Sequence, residues 1–205
     1  MRTALGALPD SCGVTLHDHF TRLADVPAGA RVVFTVRDPV ARFVSGFNSR
    51  LRKGLPRNFA EWTPVLEEGF ARFPTPNSLA EALSDPDHLR RRQAQLLIAN
   101  IFHVATPLSY WLGSVAYLRS RADDLLLVMW QARFDEDFET LKRSLGLPPE
   151  TRLPRDLAGA HATPPQFETA LSAAAVANLK AWYAGDYALY EAALELRERI
   201  LARSD

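Results

Sequence analysis

Arg31-Val-Val-Phe-Thr-Val-Arg37-Asp38-Pro39-Val-Ala-Arg42-Phe-Val-Ser45-Gly-Phe-Asn-Ser-Arg50-Leu-Arg-Lys53 is the stretch from which the fold is read. Arg31 to Val36 is a β-branched and aromatic run, apolar after its first residue except at Thr35. Such a run predicts a strand buried on both faces, as in a parallel sheet. Asp38-Pro39 then stops the strand and opens a helix, with Asp38 as N-cap and Pro39 at the first helical position. Beyond it Val40, Phe43, Val44, Phe47 and Leu51 share one helical face, which packs back on the sheet. Asp38, Arg42, Ser45, Ser49 and Arg52 fall on another face. Strand, turn and helix in that order set Arg37 at the carboxyl end of a parallel strand, where open α/β sheets bind their ligands.

Ser45 lies about two turns into the helix, close enough to share an anion with a long arginine side chain. A guanidinium offers a planar fork of donors suited to phosphate, and a hydroxyl adds one neutral donor. A plainer reading fits the same residues: Arg37 pairs with Asp38 or another nearby carboxylate, and Ser45 is a helix-surface serine. Spacing alone leaves both open.

Working outward, 205 residues suit a single domain, 1–205, with a sizeable core. Lys+Arg and Asp+Glu are both 24, so the net charge is zero and a general nucleic-acid binder is disfavoured. Basic runs at Arg50 to Arg57 and Arg90-Arg91-Arg92 read first as solvated helix faces. The single cysteine, Cys12, excludes an internal disulfide and a cysteine-rich metal site. Apolar runs such as Leu125 to Trp130 are far too short to span a bilayer. No basic segment followed by an apolar one opens the chain, so no secretory signal is read. The expectation is a soluble, cytoplasmic protein with no membrane span.

Before the deciding stretch, Met1 to Cys12 reads as a short helix and Gly13 to Leu16 as a short strand. Val26-Pro-Ala-Gly29 reads as a turn. After it, residues 54–87 are rich in proline and aromatics and read as a covering segment broken by short helices. One of these starts at Asn77 or Ser78, with Glu81 completing a capping box. Residues 87–104 predict a longer helix with Leu89, Leu96, Leu97, Ile101 and Val104 as its apolar positions and His103, on or near its inner end, as a core histidine. Leu108 to Arg121 predicts another, with Tyr110, Trp111, Val115 and Leu118 inward. Leu125 to Trp130 is the second parallel-type strand, Gln131 to Phe134 a turn and Asp135 to Leu145 a helix ending at Gly146. Residues 150–168 form a proline-bearing loop, and Leu171 to Arg203 is helical with a pause at Ala184-Gly185.

Arg37-Asp38-Pro39-Val-Ala-Arg42-Phe-Val-Ser45 resembles the 3′-phosphate-binding segment of the sulfotransferases, Arg-x-Pro-x-x-Arg-x-x-Ser on a strand-to-helix turn. It is nearest the Golgi carbohydrate sulfotransferases and their bacterial relatives. Further along, the strand at Leu125, the Asp137-x-x-x-Leu141 helix and Leu145-Gly-Leu-Pro resemble the family's late segments. Asn178, Trp182, Tyr183, Asp186, Tyr187, Leu189 and Tyr190 resemble its closing signature, and are read as packing. The resemblance implies an α/β, P-loop-NTPase-like three-layer fold with a parallel sheet. It implies that Arg37 and Ser45 hold the 3′-phosphate of the donor, 3′-phosphoadenosine 5′-phosphosulfate.

Three departures stand out. The family opens with a strand and a phosphate-cradling turn whose backbone N–H groups and lysine hold the 5′-phosphosulfate. No such turn is found in this chain, which is therefore read as N-terminally truncated, Met1 to Leu5 resembling the helix that follows the turn. Arg2 and Thr3 are left at the border of the cofactor site. Near Gln131 relatives carry a glutamate, and Ala162 after His161 stands where they carry a basic residue.

His17 and His19, spaced i, i+2, point the same way if the segment is extended, and an imidazole titrating near neutrality suits a general base. Similar His-x-His segments occur in the uronyl 2-O-sulfotransferases, which makes His19 the expected base and His17 its partner or a substrate contact. No metal site is expected, since no third ligand lies at usable spacing. The function implied is sulfuryl transfer to a hydroxyl of a carbohydrate-like acceptor, yielding adenosine 3′,5′-bisphosphate. The alternative is a non-catalytic nucleotide-binding remnant of the same fold. A missing strand would leave unpaired sheet edges, so the expectation is a chain that is poorly soluble or that forms a homo-oligomer through that edge.

Overall fold

A computed structural model of the chain describes residues 13–56, 59–153 and 163–203. In order the elements are β1 (Val32–Val36), α1 (Pro39–Leu51), α2 (Pro64–Arg72), α3 (Pro76–Glu81), α4 (His88–Ala99) and α5 (Phe102–Ala105). Then come α6 (Leu108–Leu112), α7 (Val115–Ser120), β2 (Leu125–Trp130), α8 (Phe134–Leu145), α9 (Ala173–Trp182) and α10 (Ala184–Leu201).

The two expected strands both form, and they pair in parallel, Val33 opposite Leu127 and Val36 opposite Trp130. A parallel pair in a helix-rich chain places the protein in the α/β class. Burial of β1 departs from the expectation: Val36 is buried, Val32 to Phe34 are half-buried and Thr35 is exposed. Among the described residues β1 has β2 as its one sheet neighbour, so it lacks the cover of an interior strand.

Packing groups the chain into two compact units. Of the described residues, the first comprises 13–37, 108–153 and 188–203, the second 38–56, 59–107 and 163–187.

In the first unit the core joins Leu127 and Met129 of β2 to Phe138 and Leu141 of α8 and to Leu147. Asp137 is buried beneath the end of β2. Its carboxylate accepts the Trp130 N–H (2.6 Å) and two guanidinium bonds from Arg197, at 3.1 and 2.5 Å. A buried carboxylate needs such partners to offset its desolvation. The same contacts tie β2, α8 and α10 to one another. Arg121 does comparable work for the loop before β1: its guanidinium donates to the carbonyls of Leu23, Val26 and Pro27, each at 3.1 Å.

In the second unit Phe43 and Phe47 of α1 are fully buried, as the helical spacing predicts, with Phe70, Phe73, Leu79, Leu97 and Ile98 around them. Phe47 and Phe70 meet edge to face with centroids 5.3 Å apart, a favoured aromatic geometry. Asn178 of α9 donates to Ala80 O (3.0 Å) and to Ser84 Oγ (2.8 Å), joining α9 to the end of α3.

Several helices are shorter than the periodicity predicts. Residues 87–104 split at Asn100 and Ile101 into α4 and α5, because Ile101 is extended and buries its side chain in the core. Leu89 and Leu96 are exposed, and Ala94, Leu97 and Ile98 take the inward positions. His103, read as a core histidine, is exposed. Residues 108–121 split at Gly113, whose φ of +73° breaks the helix, and Ser114 caps α7 by accepting the Tyr117 N–H at 3.0 Å. Tyr110 is exposed. The cap of α3 is Thr75, ahead of the predicted Asn77 or Ser78, in a reciprocal pair with Ser78. Gly13 to Leu16 is not a strand. The helix read at Met1 to Cys12 lies outside the described residues. Among the described residues no helix is long and apolar enough to cross a membrane.

Candidate functional site

The turn from β1 into α1 forms as its sequence dictates. Val36 closes the strand, Arg37 follows half-buried, and Asp38 leaves helical dihedrals to cap α1. The Asp38 Oδ1 accepts the Ala41 N–H at 2.9 Å, satisfying one of the orphan donors of the first turn. Pro39 at the first helical position has no N–H to satisfy.

Within the second unit, α9 and α10 close over the first turn of α1. The Tyr187 hydroxyl donates to the other Asp38 oxygen, Oδ2, at 3.0 Å. Arg42 donates to Thr106 O at 2.7 Å and forms an ion pair with Asp186 that is almost wholly buried. Its guanidinium carbon lies 5.6 Å from the centre of the Tyr183 ring. The Tyr183 hydroxyl donates to Val104 O at 2.9 Å, and burial raises its pKa well above the ordinary phenol value, so it remains a donor. Tyr183, Asp186 and Tyr187, spaced i, i+3, i+4, thus make polar contacts as well as packing, and the sequence reading missed this. Their spacing was the available signal, since such positions share one helical face.

Ser45 is half-buried on α1. Beside it Gly46 admits α5: a Cβ at this position would stand 2.9 Å from a Val104 methyl, so only glycine lets the two backbones approach this closely. Arg37 is the last residue of the first unit and Ser45 belongs to the second.

His17 and His19 belong to the first unit and are both exposed, in a segment that is not a strand. Between them Asp18 folds a turn, its Oδ1 accepting the N–H groups of Phe20 (2.9 Å) and Thr21 (3.1 Å). The Trp111 indole N–H donates to His19 O at 2.7 Å and anchors that turn. The alignment of both imidazoles along an extended strand is therefore replaced by a turn.

The basic residues at the end of α1 serve the loop that follows it. Arg50 donates to the carbonyls of Ala60 and Glu61 at 2.7 and 2.5 Å, and Arg52 to Leu55 O at 2.6 Å. Burial lowers the pKa of both guanidinium groups from the ordinary arginine value. Gln131 is exposed in a single helical turn that follows β2. His161 and Ala162 lie outside the described residues. Among the described residues no group of three or more His, Cys, Asp or Glu could hold a metal ion. Compared with protein families, curated proteins and solved structures, the chain matches none.

Proposed function

We propose that this chain binds 3′-phosphoadenosine 5′-phosphosulfate and serves sulfuryl transfer to a hydroxyl of a carbohydrate-like acceptor, on a P-loop-NTPase-like three-layer framework. The observation that supports the reading is the segment 32–45: a strand paired in parallel, Arg37 directly after it, an Asp38-Pro39 helix start and Ser45 on the helix. That is the local structure the resembling segment has in sulfotransferases. In this reading Arg37 and Ser45 hold the 3′-phosphate, with the arginine supplying charge and a fork of donors. The donor, when bound, supplies the sulfuryl group. Rate then comes mainly from holding donor and acceptor in line and from stabilising charge, as in phosphoryl transfer. His19 takes the proton of the acceptor hydroxyl, and His17 contacts the acceptor.

A second reading, a non-catalytic nucleotide-binding module of the same fold, draws on one observation: both histidines stand exposed around the Asp18 turn and do not align along a strand.

Calorimetric titration with adenosine 3′,5′-bisphosphate tests the binding step common to both. Micromolar binding, lost by at least ten-fold in Arg37→Ala, is the expected result. A folded chain that takes up no bisphosphate sinks both readings. If it binds, a His19→Ala variant that keeps all sulfuryl-transfer activity removes that residue from its role.

A further inference from the structure

We infer that Asp186 and Tyr187 are positioning residues for the 3′-phosphate turn, an inference that rests on the donor-binding reading above. The contacts all lie in the second unit. Asp38 has two carboxylate oxygens, and each has a dedicated donor: the Ala41 N–H holds Oδ1 at 2.9 Å, and the Tyr187 hydroxyl holds Oδ2 at 3.0 Å. The helix cap alone would leave the carboxylate free to turn about its single bond to the helix. With the tyrosine on its second oxygen, the carboxylate plane and the start of α1 are set together. Arg37 is the next residue back along the chain, so its Cα follows the placement of Asp38.

One turn further on, Arg42 has the charge to compete for a phosphate, and it matches the second arginine of the resembling segment. The structure assigns it elsewhere. Asp186 neutralises it, Thr106 O takes another of its N–H groups and the Tyr183 ring covers one of its faces. Asp186 and Arg42 are both largely shielded from water, where an ion pair with further hydrogen bonds is held tightly. Arg42 is accordingly a strut between α1 and α10, and the donor-binding reading gives the phosphate contact to Arg37. Asp186 also keeps the Arg42 positive charge internally balanced, so the turn presents a defined charge to a ligand.

The test compares adenosine 3′,5′-bisphosphate with adenosine 5′-monophosphate, which lacks the 3′-phosphate, by calorimetry on the full chain and on Tyr187→Phe and Asp186→Asn. Thermal melts establish that each variant is folded. A positioning role predicts that Tyr187→Phe weakens bisphosphate binding about ten-fold and leaves monophosphate binding within about two-fold. General loosening of the fold would weaken both ligands alike. Should the wild-type chain prefer the bisphosphate and both folded variants keep that preference undiminished, the inference is overturned while the donor-binding reading stands. A wild-type chain that shows no preference overturns both. If Asp186→Asn does not fold, the Tyr187→Phe result decides alone, because that substitution deletes one hydroxyl and keeps the ring.

Discussion

Arg42 and Arg37 are five residues apart in one short segment, and from the sequence alone they are hard to rank as anion ligands. What commits Arg42 is a pair of partners that no local pattern reveals: Thr106 and Asp186 lie 64 and 144 residues from it along the chain. The Asp38 cap, by contrast, was legible, because a cap depends on residues within one helical turn of it. Local chemistry also decides Asp25. Arg22 grips it with Nε and Nη2, at 3.0 and 2.8 Å, and adds its own backbone N–H at 2.9 Å. The guanidinium bond, then the backbone bond, lowers the Asp25 pKa from 3.8 to about 2. A carboxyl lowered in the folded state contributes stability that is complete above its unfolded pKa and is lost as pH falls through the folded one. The loss therefore falls between about pH 4 and pH 2. Asp25→Asn should flatten urea-measured stability against pH across that window, its loss present in full at pH 7 and vanishing near pH 2. The pair is solvent-exposed, so the slope it contributes is small. A variant with an unchanged acid limb would show that the pair gives no net stability.

At the scale of elements, start and stop signals succeeded where the stop is chemical and failed where it is tertiary. Gly146 marks the end of α8 in the sequence, and it is left-handed at φ +61°, ψ +31°. The Leu147 N–H reaches back to Lys142 O (2.9 Å) and the Gly146 N–H to Arg143 O (3.3 Å), the paired bonds of a Schellman ending. A Cβ at Gly146 would meet nothing within 4 Å, so any cost of adding one is conformational. Gly146→Ala is expected to destabilise by about 1 kcal/mol, and Gly146→Asn by less, because asparagine tolerates the left-handed region better. Equal losses for the two in chemical unfolding would contradict a purely conformational cost. The break between α4 and α5 had no such signal. Asn100 is a modest stop, and what ends α4 is the demand of the core for the Ile101 side chain, which is 1 % exposed. Periodicity reads an apolar stripe as continuous, and it cannot register that one member of the stripe packs from an extended backbone. Nor does apolarity settle burial within the stripe: Leu89 and Leu96 are exposed, and the second unit buries Ala94, Leu97 and Ile98.

For the whole molecule, the legible part was the pair of parallel strands, since each is a compact apolar run between polar turns. Their direct pairing was not legible, because Val36 meets Trp130, 94 positions further along the chain. Nor was the division into two units, which follows from which helices share a core. The cores themselves have no residue in common: Leu127, Met129, Phe138, Leu141 and Leu147 build one, and the Phe43, Phe47, Leu97 and Ile98 cluster builds the other. Large-to-small changes in separate cores, with no shared partner, should not influence one another. Leu127→Ala opens a cavity in the first and should cost about 3 kcal/mol, whereas Ile98→Val trims one methyl group in the second and should cost about 1 kcal/mol. The double variant should then lose about 4 kcal/mol, additive to within about 0.5 kcal/mol in urea unfolding. This expectation holds whether the chain unfolds in one transition or in two. In one, the two losses sum in a single free energy; in two, each substitution shifts the transition of its own unit and leaves the other in place. A coupling energy above about 1 kcal/mol would mean that strain from one core reaches the other, and that the two clusters behave as one despite sharing no side chain.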